Sequence, residues 1–310
     1  MRVAIVGAGM SGLVAANDLV AAGHDVVVFD KGRAVGGRMA SKRFAGARFD
    51  HGAQHFSVRS DAFAEFVREA SFAGVVGVWY EGGSLTTDNG VEPRHRGVPA
   101  MRSICEYLAE GLDVRTGAMV RAVRVGEITL DSGEPFESDA VVVTAPIPQA
   151  LGLIEPSSIA PDDRAKLEAV EYDPCIAVMA VLETDPDLPD GHLAPDSDLV
   201  AWIADNRHKG ISEVPAVTIH STPGYARSSM ENDSSVWLDD LLGEFQRLVG
   251  CPVVDSIAHR WRYSMPTNPL DSGCMELGSG VWLAGEAFSG ARIEGAFTSG
   301  LAVAAALIGS

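Results

Sequence analysis

The chain has 310 residues, of which 46% are hydrophobic and 21% charged, and 24 Lys and Arg against 42 Asp and Glu leave a formal net charge of −18. A field of that sign repels nucleic acid and anionic membrane surfaces, and no apolar run approaches the roughly eighteen residues of a membrane span. Cys105, Cys175, Cys251 and Cys274 follow neither a metal-ligand nor a disulfide spacing, so reduced thiols and no bound metal are expected.

The opening Met1-Arg2-Val3-Ala4-Ile5-Val6-Gly7 begins a strand at once and lacks a signal peptide's apolar core and cleavage site, which predicts a cytoplasmic protein. Its β-branched run suits a buried parallel strand. A glycine-rich turn follows, then Met10 to Ala22 with helical apolar spacing and a stop at Gly23. Val26 to Asp30 is a second buried strand, which closes a βαβ unit. Residues 61–73 and 104–112 read as helices, 75–98 as irregular, and 113–115, 119–125 and 128–131 as short strands. Ala140 to Ala145 is another buried strand, ended by Pro146.

From about residue 150 to 262 the pattern changes. Segments 177–182, 199–204 and 216–221 read as strands of a separate sheet, joined by Pro- and Asp-rich loops, with a helix near 236–249. Val281 to Gly285 returns to a buried strand, and a small-residue helix runs from Glu294 to Ile308. The pattern describes a nucleotide-binding domain built from both ends of the chain, with a substrate domain inserted.

The cations are unevenly spread. Lys31, Arg33, Arg38, Lys42, Arg43 and Arg48 are six of the 24, and further concentrations are Arg94-His95-Arg96 and His259-Arg260-Trp261-Arg262. Each is either a solvated face or the local positive charge that a bound polyanion requires.

Gly7-Ala8-Gly9-Met10-Ser11-Gly12 fits GxGxxG between a strand and a helix. The first glycine permits the tight turn, the second lets backbone approach a pyrophosphate, and the third lets helix pack on strand. The helix start then offers amide donors to the phosphates. Asp30 ends the second strand, where a carboxylate accepts from ribose hydroxyls.

The stretch Lys31-Gly32-Arg33-Ala34-Val35-Gly36-Gly37-Arg38 resembles the second fingerprint of the flavin amine oxidase superfamily, with Asp30 where Glu is commoner. Trp282-Leu283-Ala284-Gly285-Glu286, Gly290-Ala291-Arg292-Ile293-Glu294-Gly295-Ala296 and Ser299-Gly300 resemble its closing FAD motif. Within the superfamily the chain is most similar to the bacterial renalase-like proteins. The residues are Gly36 to Arg43, Asp50-His51-Gly52-Ala53-Gln54-His55-Phe56 and Ala258 to Tyr263. His55 stands where a tyrosine is often found.

The resemblance implies an α/β fold: a Rossmann-like FAD-binding domain of glutathione-reductase/amine-oxidase type (1–60, 100–150 and 265–310) with an inserted antiparallel-sheet substrate domain (61–99 and 151–264). It implies FAD held non-covalently by Gly7, Ala8, Gly9, Met10, Ser11, Gly12, Asp30, Lys31, Gly37, Arg38, Gln54, His55, Val120, Ala145, Gly285, Glu286, Arg292 and Ile293. In that pattern Arg38 meets the pyrophosphate, Glu286 the ribityl or phosphate region and the Val120 backbone the adenine, while the Ile293 amide at a helix start faces the flavin O2. Cys274 lies too close to the closing strand to match the flavin-attaching cysteine of monoamine oxidases.

The function so implied is oxidation of 2- and 6-dihydro isomers of NAD(P) to NAD(P)+, with hydride transfer to flavin N5 and O2 reduced to hydrogen peroxide. The expected partners are a small-molecule substrate, here a dihydronicotinamide dinucleotide, and O2. Gln54, His55, Lys42, Trp202, Trp261 and Tyr263 are the candidate catalytic residues, with Arg207 a further substrate-side candidate. For His55 the alternative is a hydrogen-bonded structural histidine, and for Trp202 and Trp261 it is core packing. No acid/base dyad is evident, which suits a substrate that gives up a hydride with the cofactor carrying the hard step. The alternatives are an amine oxidase, porphyrinogen oxidase or carotenoid desaturase of the same superfamily, and, from another class, a non-catalytic flavin-binding protein.

Overall fold

The computed structural model describes residues 1–83, 91–278 and 280–309. Arg2–Val6, Asp25–Asp30, Asp113–Thr116, Ala140–Val143 and Val281–Leu283 form a parallel sheet, with Met275–Glu276 antiparallel at one edge. Arg2–Val6 lies at its centre, between Ala140–Val143 and Asp25–Asp30. Its side chains are buried from Val3 to Val6, because helices pack on one face and Val123, Ile128 and Phe136 of a three-stranded antiparallel sheet, with Ile147 and Ala150, pack on the other. Met10–Ala21 and Ile293–Ile308 pack together on one face, close enough that a Cβ on Gly300 would stand 2.6 Å from the Ser11 carbonyl oxygen. No helix among the described residues is long and apolar enough to cross a membrane.

A second sheet is five-stranded and antiparallel: His192–Leu193, Val200–Asp205, Ala216–Ser221, Tyr172–Leu182 and Val253–Pro266, in that order. Its outer face (Ile176, Val178, Ala180, Ile203, Val217 and Ile219) packs on the helix Ser234–Leu248 through Trp237, Leu241 and Phe245. Asp233 caps that helix by accepting from the Ser235 amide. The inner face turns toward the first sheet, with Met179, Val181 and Ala216 on Ala47 and Phe49 of the hairpin Ser41–Phe44/Ala47–Asp50.

Several elements depart from the sequence expectation. Within the stretch expected to be irregular, Val76–Gly83 and Val91–Gly97 pair as an antiparallel hairpin; residues 84–90 of that stretch lie outside the described residues. Gly77, Gly82, Pro93 and the charges between them conceal the strand alternation. The long strand Val253–Pro266 is held by tertiary pairing, and the helices Ile147–Leu153, Pro161–Glu168 and Pro223–Ser229 are too short to show apolar periodicity, although a proline in the first turn marks each start. The helix Asp61–Phe72 buries Phe63, Val67 and Ala70 in the same cluster as Ile5, Leu13 and Phe297.

Candidate active site

The carboxyl ends of four neighbouring parallel strands lie along one edge, in the order Leu283, Val143, Val6 and Phe29. The segments that continue them, Gly285-Glu286, Thr144-Ala145, Gly7 to Gly12 and Asp30, therefore share that edge. This is where open α/β sheets bind ligands. Gly7 has φ +120°, and a Cβ on Gly12 would stand 2.0 Å from the Gly7 oxygen, while one on Gly9 would meet nothing within 4 Å. Only the middle glycine leaves its side-chain direction open, as close approach of a phosphate requires. Ser11 Oγ, on the first helical turn behind it, is buried and unpartnered.

Asp30 ties two loops to this turn: its Oδ2 accepts from the Ala8 amide at 2.7 Å and its Oδ1 from the Gly32 amide at 2.6 Å. The Gly36 amide donates to the Ala8 carbonyl at 2.9 Å. Gly36 and Gly37 have φ +123° and +53°, conformations open to glycine, and they deliver Arg38 to a bidentate pair with the buried Glu286. Arg38 also approaches the Tyr263 and Ser264 carbonyls at 3.4 Å. Ile293 begins the closing helix after Arg292, and Gly295 meets the Gly290 oxygen so closely that a Cβ would stand 1.9 Å from it. Glu294, buried, accepts from the Ser60 amide with Oε1 while its Oε2 has no partner. Open glycine, helix starts, unpartnered hydroxyl and guanidinium form a cradle that suits a dinucleotide diphosphate.

Opposite this edge lies the inner face of the antiparallel sheet. Trp202, His220, Ala177 and His259 stand side by side on four adjacent strands, with Trp261 beside Cys175 in the next row. Residues 50–55 cross over that row. The His51 carbonyl accepts from Trp261 Nε1 at 2.7 Å and from His220 Nε2 at 3.2 Å. Its ring stacks on Trp261 at 5.3 Å and meets His259 edge-on at 4.8 Å. A second aromatic group follows: His55 lies 5.4 Å from Trp202, 5.8 Å from Tyr80 and 6.2 Å from Trp79, with His192 stacked on both Tyr80 and Trp202. Among the described residues, Nδ1 of His51 and His55 and the indole N–H groups of Trp79 and Trp202 are buried without a partner. Most buried polar groups in native proteins are bonded, so these four point to a polar ligand.

Beneath them is a fully buried ion pair, Lys209 Nζ to Asp50 Oδ2 at 2.8 Å. Asp50 Oδ1 also accepts from Ser41 Oγ at 2.6 Å and the Met101 amide at 3.0 Å, while Gln54 Oε1 lies 3.4 Å from the ammonium. The ammonium sits 4.9 Å from the Trp79 ring. Burial pushes the Lys209 pKa down, and Asp50 opposes the shift. Burial also pushes His51 to about 3, and His55 and His220 to about 4, with neighbouring positive groups adding to the fall. All three imidazoles are neutral at pH 7.

Gln54, His55, Trp202 and Trp261 are thus brought together on this face. Tyr263 is elsewhere, with its carbonyl toward Arg38 and its ring 5.7 Å from Tyr172. Lys42 is exposed on the hairpin and acts at a distance on His51 and His259. Arg207 forms an exposed ion pair with Asp185. On the cofactor edge, Lys31 is exposed and reaches Gln149 at 3.3 Å, Arg292 is exposed, and Val120 is buried near Asp30. Sequence reasoning missed Lys209, Asp50, Trp79, Tyr80, His192 and His220. Asp50 lay inside the Asp50-His51-Gly52 motif and was the one with a signal to follow.

Two family models match the chain. One is an NAD(P)-binding Rossmann-like domain over residues 5–70, and the other is flavin containing amine oxidoreductase over residues 62–308. Among solved structures, putrescine oxidase bound to putrescine is similar at a TM-score of 0.76, with 17% identity and all of both chains covered. An oxidoreductase from Methanosarcina mazei is similar at a TM-score of 0.68, with 15% identity over 98% of this chain and 99% of that one. At these identities the likeness is one of fold. A stretch of 52 residues is 50% identical to 4,4'-diapophytoene desaturase of Staphylococcus haemolyticus, covering 17% of this chain but only 10% of that protein.

Proposed function

This chain belongs to the flavin-containing amine oxidoreductase family, and from that premise we propose that it is an FAD-dependent oxidase of dihydronicotinamide isomers, returning 2- and 6-dihydroNAD(P) to NAD(P)+. The Gly7–Gly12 turn, Asp30 and Arg38 would hold FAD, which would supply two-electron oxidation by hydride transfer, with O2 as the final acceptor giving hydrogen peroxide.

The observation that carries this reading is the chemical character of the inner face. It offers indoles and neutral imidazoles, and its buried carboxylate, Asp50, is held by Lys209. Imidazoles with pKa values of about 3 to 4 are weak bases. A dihydropyridine needs none, since it gives up a hydride without first losing a proton. Trp202 and His55 hold the flat ring, and the unpartnered N–H groups of Trp79 and Trp202 donate to its carboxamide. Gln54 and the Trp79 ring fix the Lys209 ammonium in place, and Asp50 balances its charge.

The same pairing also weighs against the other substrates of the family. A diamine of the putrescine kind carries two positive charges, and the buried carboxylate of this face, Asp50, is already held by Lys209. A polyene requires an apolar channel, whereas this face carries unpartnered polar nitrogens.

The test is to mix the FAD-loaded protein, without oxygen, with borohydride-reduced NAD (an isomer mixture) and separately with ordinary NADH. Bleaching of the flavin band by the mixture alone is the expected result. No bleaching by either would sink the reading and bring amines and porphyrinogens forward. Return of the colour in air then separates an oxidase from a flavoprotein without turnover.

A further inference from the structure

Two of the three cationic stretches in the sequence converge in space. Arg43 and Arg48 are direct cross-strand partners on the Ser41–Phe44/Ala47–Asp50 hairpin. They line a groove of about 460 Å3 with Pro99, Gly210, Ser212 and Glu213. Arg96, from the second stretch, lies behind Gly210, where a Cβ would stand 3.1 Å from its Nη2. The third stretch does not join them, because Arg260 and Arg262 are paired with Glu231 on the far side of the sheet.

Among the described residues none of Arg43, Arg48 and Arg96 is ion-paired. Arg48 reaches the Pro99 carbonyl at 3.5 Å and Arg96 the Gly97 carbonyl at 3.3 Å. Most other arginines of this acidic chain have a carboxylate partner, so three left without one around a groove are unusual. Like charges directly opposite on a hairpin are unfavourable unless an anion lies between them. Guanidinium groups suit phosphate in particular, because their fork matches its oxygens. Glu213 is the one opposing charge in the lining.

Gly210 in its wall directly follows the fully buried Lys209, so the groove backs onto the Lys209–Asp50 pair. We propose that the Arg43–Arg48 groove is a docking site for the diphosphate of a dinucleotide, separate from the FAD cradle. That this dinucleotide is the substrate rests on the dihydronicotinamide reading above. The arginines anchor the diphosphate in the groove.

The experiment titrates ADP-ribose, which carries the diphosphate but no nicotinamide, into the FAD-loaded protein by calorimetry. The Arg43→Gln/Arg48→Gln double variant should bind it at least about tenfold more weakly, as loss of charge-assisted hydrogen bonds requires. Glu213→Gln should bind it more tightly, an opposite effect that misfolding cannot imitate. Equal affinity in the wild type and the double variant, or no binding to the wild type, overturns the proposal. The outcomes separate the two readings. Arginine-dependent ADP-ribose binding without flavin bleaching by the reduced NAD isomers upholds the groove and discards the redox assignment. Bleaching with arginine-independent ADP-ribose affinity discards the groove alone.

Discussion

The cofactor edge and the inner face of the second sheet both use residues 38–55, yet they are built by different means. On the edge, backbone makes the site. Gly7, Gly9, Gly12, Gly36 and Gly37 are there for what they lack, and Asp30 serves backbone amides with both oxygens. On the face, side chains make it. Lys209, Asp50 and Gln54 hold one another beneath rings contributed by a hairpin, a loop and four strands. The edge should therefore fail when atoms are added, and the face when charges are unbalanced or hydrogen-bonding atoms removed.

The largest expected effect is on the face. Lys209→Met leaves Asp50 buried without its counter-charge and should cost about 3–5 kcal/mol of stability in urea unfolding. The Lys209→Met/Asp50→Leu double variant should recover most of that, and if it does not, the pair is more than a charge balance. Acid comes next. The unfolded chain protonates His51, His55 and His220 near the ordinary value of 6.5, while the folded protein resists until about pH 3 to 4. Stability should thus be complete well above pH 6.5 and fall by about 2 kcal/mol for each of these histidines by pH 5, as proton linkage requires, read from unfolding midpoints across that range.

On the edge, Arg38→Gln leaves Glu286 buried without its guanidinium, a loss of about 1.5–3 kcal/mol that should appear as weaker FAD retention on dialysis. Gly12→Ala forces a Cβ to 2.0 Å from the Gly7 oxygen, and the backbone shift should cost about 1–3 kcal/mol and lower the FAD content of the purified protein. Gly9→Ala separates sterics from ligand contact, because its Cβ meets no protein atom within 4 Å. It should fold normally and lose FAD alone. The smallest effect belongs to Trp202→Phe, which keeps a ring but removes an unpartnered N–H. It should raise KM for the reduced NAD isomers by roughly three- to tenfold, equivalent to about 0.5–1.5 kcal/mol, with little change in kcat or melting temperature.

The edge was legible because its signals are local. The GxGxxG turn, the strand ending at Asp30 and the Gly36-Gly37-Arg38 turn each lie within a dozen residues of the element they shape. The strands flanking them were readable as buried apolar runs. The face was not legible for the converse reason. Asn206-Arg207-His208-Lys209-Gly210 has the composition of an exposed turn, and Arg207 and His208 are indeed exposed. Asn206 and Lys209 turn inward, Lys209 because Asp50, 159 positions away, receives its ammonium.

From its own order of residues the chain determines a parallel sheet with a glycine-lined phosphate edge, a second antiparallel sheet and an uneven distribution of cations, since periodicity and turn chemistry act over short separations. Only the tertiary structure decides which cations meet and which are neutralised, and which polar atoms are left unpartnered on the inner face. Those outcomes depend on charges and rings from strands far apart in sequence, where burial raises the cost of every unmatched group and so selects the partners.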